Sequence, residues 1–339
     1  MTSTTLRPCS VFRAGIESVT TPVTDLEYCV IIPAYNAANF IEAAVASVRA
    51  QTIPPAEIIV IDDASTDGTA EICAARGVRV ERMARSRGPS AARNRGVALT
   101  SSPAIGFLDA DDEWLPIHAE QVLATLLVED VVFAASDAER FGTETGRISH
   151  GLLTRTSLGL EDLFILENPI VQSAVMILRT AFEMAGGYDE SLRYSEDYDL
   201  WTRVIELGRF GYVNEPTVRR RMHPAQLTFT NRPELVRSWS NVRRRALRRR
   251  LASARPAERE QMLSLLDEAT KTEIEWAIWT GERCMLNTVR TELDLSDTQL
   301  GLGSRLRLHG GTGKPARRVW QDVRCVGRGL LNRVRGRSA

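Results

Sequence analysis

Short apolar runs alternate with helical patterns between residues 28 and 108, and this alternation leaves few folds open to the chain. The runs are Tyr28–Pro33, Glu57–Ile61, Val78–Glu81 and Ala104–Leu108. Each is short enough to be a buried strand, and helical spacing of apolar residues separates them. Strands separated by helices form right-handed βαβ units in a parallel sheet with both faces covered. The sequence therefore predicts an α/β fold with a mostly parallel sheet flanked by helices.

Distinctive residues stand at the ends of three of these runs. Pro33, Asp63 and Asp109 all fall where a predicted strand ends. Ligands of open α/β sheets bind at the carboxyl ends of the strands. We therefore expect one binding site to which all three strand ends contribute.

The segment Phe107–Trp114, FLDADDEW, converts an apolar strand into a cluster of acids, Asp109, Asp111 and Asp112. Carboxylates this close repel one another unless a cation lies between them. Oxygen ligands suit hard ions such as Mg²⁺ or Mn²⁺, which commonly bridge carboxylates to a diphosphate. A solvated acidic turn is the simpler alternative for such a cluster on its own.

Charge is unevenly distributed along a chain whose formal net charge is zero. Residues 235–339 carry 22 Lys and Arg against 11 Asp and Glu, so the remaining residues have an equal acidic excess. A basic segment indicates contact with an anionic membrane surface, nucleic acid or a protein partner. A helical bundle with solvated arginines is the alternative.

Sequence features that indicate the cellular compartment agree with one another. No apolar run reaches the roughly 18 residues that a spanning helix needs, and the amino terminus has no apolar signal core. The five cysteines are scattered and form no C-x-x-C pair, which favours a reducing cytosol over a disulfide frame or zinc site. We expect a cytoplasmic protein.

The order of short motifs resembles the inverting, nucleotide-sugar-dependent glycosyltransferases of family 2, which have the GT-A fold. The matching pieces are CVIIPAYN (29–36), VIDDASTDGT (60–69), PSAARNRG (89–96), FLDADDEW (107–114), GGYDESL (186–192), SEDYDLW (195–201) and RRMHPAQLT (220–228). The resemblance implies a GT-A domain over residues 27–232, with a Rossmann-like nucleotide-binding half (27–115) and an acceptor half (116–232). Residues 1–26 are expected to be a loose leader. The basic region 233–339, outside the resemblance, is expected to be a helical extension.

The resemblance also implies a set of donor-binding residues: Pro33, Tyr35, Asp62, Asp63, Arg93 and Asp109. Asp63 is expected to accept the N3–H of a uracil-type base, while Asp62 either joins it or anchors the turn that follows. Arg93 would reach the diphosphate or the acidic cluster as a fixed charge, or form a helix-surface ion pair.

Metal and catalytic residues follow from the same resemblance. Asp111 is the expected ligand of Mn²⁺ or Mg²⁺, with Asp112 and His223 as further candidates. Asp197 is the expected general base, and a neighbouring Glu196 would raise its pKa. The alternative is that Glu196 and Asp197 are ordinary acids in the first turn of a helix.

These expectations predict a metal-dependent inverting transferase that moves a sugar from a UDP or dTDP donor to a glycan or lipid-linked acceptor. The basic extension would hold it peripherally on an anionic inner membrane leaflet or form a homodimer, and nucleic acid is not an expected partner. A sugar nucleotidyltransferase is disfavoured because Ala34–Ala38 lacks a glycine-rich phosphate loop. A non-catalytic scaffold of the same fold is the other alternative.

Overall fold

The computed structural model describes residues 12–13, 26–148, 168, 170–224, 226, 232–253 and 259. The chain divides into two compact units, residues 1–230 and 231–339.

The first unit is built on one mixed sheet. Its strands are β1 (Phe12–Arg13), β2 (Tyr28–Ala34), β3 (Glu57–Asp62), β4 (Arg79–Arg82), β5 (Ala104–Phe107), β6 (Glu113–Trp114), β7 (Val131–Gly142), β8 (Gly146–Ile148), β9 (Val175–Leu178) and β10 (Arg209–Met222). The order across the sheet is β1-β10-β7-β9-β5-β2-β3-β4, with β6 beside β10 and β8 beside β7. Strands β6, β8 and β9 run antiparallel to their neighbours, and the other pairings are parallel.

Helices cover both faces of this sheet, as expected for an α/β fold. They are α1 (Ile41–Arg49), α2 (Thr69–Ala75), α3 (Pro89–Ala98), α4 (His118–Leu126), α5 (Arg179–Met184) and α6 (Glu196–Val204). Alternate residues of a strand point to opposite faces, so Val30 and Ile32 join a core with α1 and α4, whereas Ile31 joins the core beneath α3, α5 and α6. The predicted α/β sheet is confirmed.

Helix α3 approaches β2 closely because of a glycine. A Cβ atom at Gly96 would lie 2.4 Å from Ile31 Cγ2, which is shorter than any normal contact. Any larger residue at this position would push the helix away from the sheet. The same helix carries Arg93, so this close packing places the arginine against the strand ends.

Several local expectations differ from the structure. The sequence predicts a strand over Val131–Ser136 followed by a polar excursion over residues 137–150, but strand β7 continues to Gly142 and the chain turns back through β8. Within the expected leader, Phe12–Arg13 pairs with β10. The sequence predicts that Asn39 caps α1 with Glu42 in a capping box, but the N-cap position is Phe40, no side chain caps the helix, and Glu42 forms an ion pair with Arg76.

The second unit is described by one helix, α7 (Arg232–Ser253), and the rest of the predicted helical extension lies almost wholly outside the described residues. Over the part of the chain that the structure describes, every helix is too short or too polar to cross a bilayer.

Candidate active site

The carboxyl ends of the parallel strands meet at one edge of the sheet. The main-chain ladder continues past the strands, since the N–H of Asp63 donates to Ala34 O at 2.8 Å and that of Leu108 donates to Ile31 O at 3.1 Å. Asp63 and Asp109 therefore follow the two strands that flank β2, at the same edge of the sheet. His223, directly after β10, reaches the same edge. The convergence expected from the sequence is present.

Two loops at this edge are tied together by side chains. The loop after β2 and the loop after β3 exchange hydrogen bonds, with the N–H of Asn36 donating to Ser65 Oγ and the N–H of Thr66 donating to Asn36 Oδ1, each at 2.9 Å. Asp62 is fully buried, accepts from the N–H of Ser65 at 3.1 Å, and has Arg82 Nε 3.3 Å from its other oxygen. Of the two roles left open for Asp62, the geometry matches the anchor of the turn.

Asp63 holds the loop that precedes α3. Its Oδ2 accepts from Ser86 Oγ at 2.7 Å and from the N–H of Gly88 at 2.8 Å, and its Oδ1 accepts from the N–H of Arg87 at 2.8 Å. A carboxylate oxygen can accept two hydrogen bonds, so Oδ1 retains one position. The contact of Asp63 with a base stays a prediction, and Oδ1 is the atom that could make it.

Tyr35 and Pro33 border the same space. Pro33 lies within β2 opposite Ile61, and Tyr35 follows it with 57 % of its surface exposed. Tyr35 and Asp63 follow the paired strands β2 and β3, so an exposed aromatic ring and a buried hydrogen-bond acceptor come from neighbouring strand ends. These are the two features that a flat heterocycle requires.

Arg93 links the acidic cluster to the beginning of α6. It is nearly fully buried, and its guanidinium lies 2.6 Å from Asp109 Oδ1 and 2.9 Å from Glu196 Oε1, with the ring of Tyr188 beneath it. Burial alone would lower the pKa of Arg93, but Asp109, Tyr188 and Glu196 raise it above its ordinary value. Of the roles expected for this residue, the structure shows the contact with the acidic cluster.

Asp111 and His223 meet although they are far apart in the chain. His223 Nε2 lies 2.9 Å from Asp111 Oδ2. Arg221 donates to the main-chain oxygen of Asp111 at 3.0 Å, and the ring of Phe40 packs against His223. Both side chains are partly exposed, so the pair faces the open side of the cluster.

Asp112 does not face that opening. It is buried, its Oδ2 accepts from Ser173 Oγ at 2.6 Å, and its Oδ1 accepts from the N–H of Arg221 at 2.9 Å. The role of Asp112 as a metal ligand stays a prediction, and in this structure its two oxygens hold the Ser173 hydroxyl and the backbone of Arg221.

Electrostatic repulsion concentrates at the cluster. Burial raises the pKa of Asp111, and the charge of Asp109 raises it further, while His223 acts in the opposite direction. Burial also raises the pKa of Asp112 well above its usual range, and Asp111 and Asp109 add to the effect. The raised values mean that the site favours neutralisation of its charge, by protons or by a bound cation.

The donor set suits a divalent ion that also binds a ligand. Within the described parts of the chain, no group of three or more His, Cys, Asp or Glu side chains is arranged to hold a metal ion alone. Asp111 and His223 nevertheless offer an oxygen and an imidazole nitrogen at one place. Mg²⁺ typically uses one or two carboxylates and takes its other ligands from water and phosphate, and imidazole is acceptable to Mn²⁺.

Asp197 and Glu196 stand at the start of α6 on the other side of Arg93. Asp197 Oδ1 accepts from the N–H of Tyr198, and Oδ2 accepts from Asn168 Nδ2, both at 2.7 Å. Burial raises the pKa of Asp197, and the charge of Asp109 adds to this while the two hydrogen bonds and Arg93 oppose it. Burial likewise raises the pKa of Glu196. Both carboxyls lie within one charge network rather than on a solvated helix surface.

Several contributing residues were not found from the sequence. Asn168, Gln172 and Ser173 come from one segment and contact Asp197, Tyr188 and Asp112 respectively. Asn94 exchanges hydrogen bonds with the backbone of Tyr188 at 2.9 Å. Single polar residues in an apolar stretch give no local signal, since their partners are distant in the chain.

Residues 29–184 match the family model described as Glycosyl transferase family 2. The match contains β2, β3, β5, α3 and the acidic cluster, whereas α6 with Glu196 and Asp197, and His223, lie beyond its end.

Residues 29–184 belong to glycosyl transferase family 2.

Known proteins of this kind agree in sequence and fold. The succinoglycan biosynthesis protein ExoU of Rhizobium meliloti (strain 1021) is 36 % identical over 208 residues, which cover 56 % of this chain and 59 % of ExoU. The chain thus spans about three fifths of the length of that relative. Two structures of S. aureus TarS share the fold. One gives a TM-score of 0.55 at 18 % identity over 71 % of this chain and 43 % of that one. The other, TarS 1–349 in complex with UDP-GlcNAc, gives 0.54 at 14 % over 72 % and 81 %.

Proposed function

We propose that this chain is an inverting glycosyltransferase that moves a sugar from a nucleoside diphosphate, UDP or dTDP, to a hydroxyl of a glycan or lipid-linked acceptor. The carrying observation is the Arg93 bridge, which ties the acidic cluster at Asp109 to the carboxyl pair at Glu196. A donor-binding group and a candidate base therefore belong to one site. Family membership and the biosynthetic role named for ExoU support the proposal.

Asp197 performs the proton transfer in this proposal. Its carboxylate takes the proton of the acceptor hydroxyl while that oxygen attacks the anomeric carbon. The bond from the anomeric carbon to the diphosphate oxygen breaks, and its electron pair leaves with the diphosphate. Attack from the face opposite the leaving group inverts the configuration. The raised pKa of Asp197 makes it a stronger base than an ordinary aspartate.

Asp111 and His223 are the residues that would hold Mn²⁺ or Mg²⁺. When bound, such an ion neutralises charge on the leaving diphosphate, which is worth several kcal/mol of barrier. Asp112 orients this pair from behind through Ser173 and the Arg221 backbone. Tyr35 stacks on the nucleobase and Asp63 Oδ1 accepts its N3–H.

Helix α7 provides the membrane contact in this proposal. It carries eight arginines and one acid, Glu234, and clustered arginines are attracted to anionic lipid by about 1 kcal/mol each near the surface. Full-length protein should sediment with phosphatidylglycerol vesicles and not with phosphatidylcholine vesicles. If it binds neither and its mass rises with concentration, the helix serves a homodimer instead.

Two measurements test the catalytic proposal. Calorimetry with UDP, dTDP, GDP and CMP, with and without Mn²⁺, identifies the nucleotide. Release of nucleoside diphosphate from a panel of sugar donors then measures turnover in wild type and Asp197→Asn. Metal-dependent binding of one diphosphate and turnover that vanishes in Asp197→Asn support the proposal. Binding without turnover on any donor and acceptor offered would favour a non-catalytic scaffold.

A further inference from the structure

The segment that precedes β9 contacts both the acidic cluster, at Asp112, and the carboxyl pair of α6, at Asp197. Gln172 donates to the hydroxyl of Tyr188 at 2.9 Å and Ser173 donates to Asp112 at 2.6 Å. Asn168, four residues earlier, donates to Asp197. Ile170 and Val171 are buried between these contacts and fix the segment in the core. The polar side chains of this segment are therefore placed by packing rather than by solvent.

Only one of the two polar atoms of the Asn168 amide has a hydrogen-bond partner among the described residues. Its Nδ2 lies 2.7 Å from Asp197 Oδ2, whereas its Oδ1 is buried and has no hydrogen-bond partner among the described residues. The nitrogen must face the carboxylate, since an oxygen there would oppose another acceptor. Buried polar atoms are rarely left unpaired. The single bond to Asp197 is thus the contact that explains an amide at this position.

The geometry of Asp197 depends on that bond. Oδ1 is held by the N–H of Tyr198, the next residue of the same helix, and Asn168 is the side chain outside the helix that holds Oδ2. Rotation of the carboxylate about its Cβ–Cγ bond would break both contacts. The free lone pairs, which must take the acceptor's proton, are thereby aimed in one direction.

We propose that Asn168 is the positioning residue of the general base, fixing the orientation of the Asp197 carboxylate and stabilising its ionised form. This inference rests on the role proposed above for Asp197. Asn168 itself does not exchange a proton, because an amide does not titrate in this range.

Other charged groups also act on Asp197 and define what Asn168 adds. They are Glu196 on the same helix, Arg93 on α3, Asp109 after β5 and Tyr188 in the preceding turn. Arg93 and the hydrogen bond from Asn168 lower the pKa of Asp197, while burial and Asp109 raise it. Removing the amide should therefore raise the pKa of Asp197 further.

The test uses full-length protein labelled with ¹³C at the aspartate carboxyl carbons. The resonance missing in Asp197→Asn assigns Asp197, and its titration midpoint is followed in wild type and in Asn168→Leu, which keeps similar volume but has no donor. We expect the midpoint to rise by roughly one pH unit in Asn168→Leu. Asn168→Ser, which restores a hydroxyl donor, should recover part of this shift. Asn214→Leu, at an exposed asparagine of β10, is the matched control and should leave the midpoint unchanged.

Kinetics supply the second readout, with the sugar nucleotide that wild type consumes fastest. In Asn168→Leu we expect kcat to fall on the order of 10- to 100-fold, less than on removal of a general base, while the KM for the donor is unchanged. The decrease of kcat on the acidic side of its pH profile should occur at higher pH than in wild type. If Asn168→Leu folds and both the titration midpoint of Asp197 and the pH profile of kcat are the same as in wild type, the inference is wrong. If no donor is consumed by wild type, the proposed function fails while the titration still decides the role of Asn168.

Discussion

Arg93 donates to Glu196 at 2.9 Å from a position that is 4 % exposed, and the same guanidinium holds Asp109 at 2.6 Å. One cation thus balances carboxylates from β5 and α6, elements that are far apart in the chain. A buried ion pair that loses one partner leaves an uncompensated charge, which is more costly than the pair's own net contribution.

We therefore expect Arg93→Met to lower the free energy of unfolding by about 3–5 kcal/mol, because Glu196 and Asp109 lose their counter-charge. Chemical denaturation measures this. Arg95→Met is the matched control on the same helix, since Arg95 pairs with Glu81 at the surface with side chains 48 % and 36 % exposed, where a pair contributes ~1 kcal/mol or less. If the free energy of unfolding falls equally in Arg93→Met and Arg95→Met, the ion pairs of Arg93 stabilise the fold no more than a surface pair does, and the prediction is wrong.

The two neighbouring acids of the cluster should behave differently. Asp111→Asn and His223→Ala should each weaken Mn²⁺-dependent binding of UDP more than about tenfold, which is ~1.4 kcal/mol. Asp112→Asn should retain the Mn²⁺ dependence and lower the denaturation midpoint, because its amide nitrogen would face Ser173 or the Arg221 N–H. Calorimetry and denaturation of all three variants check this. Loss of the metal effect in Asp112→Asn alone would reverse the assignment.

Among the described residues, Asp63 Oδ1 accepts one hydrogen bond, from the N–H of Arg87, and its second acceptor position makes base recognition testable. N3-methyl-UDP lacks the donor and adds bulk, so wild type should bind it at least tenfold more weakly than UDP. In Asp63→Ala this discrimination should disappear. The Ser86–Gly88 loop loses its anchor in that variant, so Ser86→Ala serves as the control that weakens the loop and keeps the carboxylate. Discrimination that survives in Asp63→Ala would assign base recognition to another residue.

The pH dependence of turnover should report Asp197. A base acts in its deprotonated form, and burial raises the pKa of Asp197 above the ordinary aspartate value. Turnover should therefore fall as the pH drops through that raised pKa and be flat above it. Initial rates at saturating donor give the profile, and calorimetry at the same pH values separates catalysis from nucleotide binding. A rate that is constant well below neutral pH would exclude Asp197 as the base.

His118 makes the fold sensitive to acid. It is fully buried, with Nδ1 2.7 Å from Thr217 Oγ1, and burial lowers its pKa from 6.5 to about 3. Between pH 3 and pH 6.5 His118 is protonated in the unfolded chain but neutral in the folded chain. Burial of neutral His118 therefore carries no penalty above pH 6.5, and the free energy of unfolding decreases as the pH falls from 6.5 towards 3.

The expected slope from His118 is about 1.4 kcal/mol per pH unit across that window. The buried acids with raised pKa act in the opposite direction, so the slope is measured as the difference between wild type and His118→Gln in denaturation at pH 4.5 to 6.5. Thr217→Val removes the hydrogen bond but not the titrating group, and it should keep the slope. Parallel curves for wild type and His118→Gln would contradict the prediction.

Much of the fold was predictable because its signals are local. Apolar runs of strand length separated by helical spacing specify an α/β sheet whatever the distant residues are, and β2, β3, β4 and β5 lie within a few residues of their expected bounds. The polar residues Asp137, Glu139 and Arg140 predict a loop after residue 136, whereas strand β7 continues to Gly142. In the structure Asp137 is buried against Arg147 and Tyr212, contacts that a strand pattern cannot reveal.

The sequence by itself determined which residues stand at the strand ends, and it thus predicted one site to which Pro33, Asp63 and Asp109 contribute, while the roles of Asp111 and Asp197 came from the order of motifs. Only the tertiary structure decided what each carboxylate contacts: Asp63 the loop before α3, Asp112 the segment before β9, and Asp197 the amide of Asn168. Apolar periodicity and turn-forming residues act over a few neighbouring residues, so they can be recognised in a short stretch of sequence. The donor that reaches a buried carboxylate comes from 24 to 61 residues away and depends on how loops pack over the sheet edge.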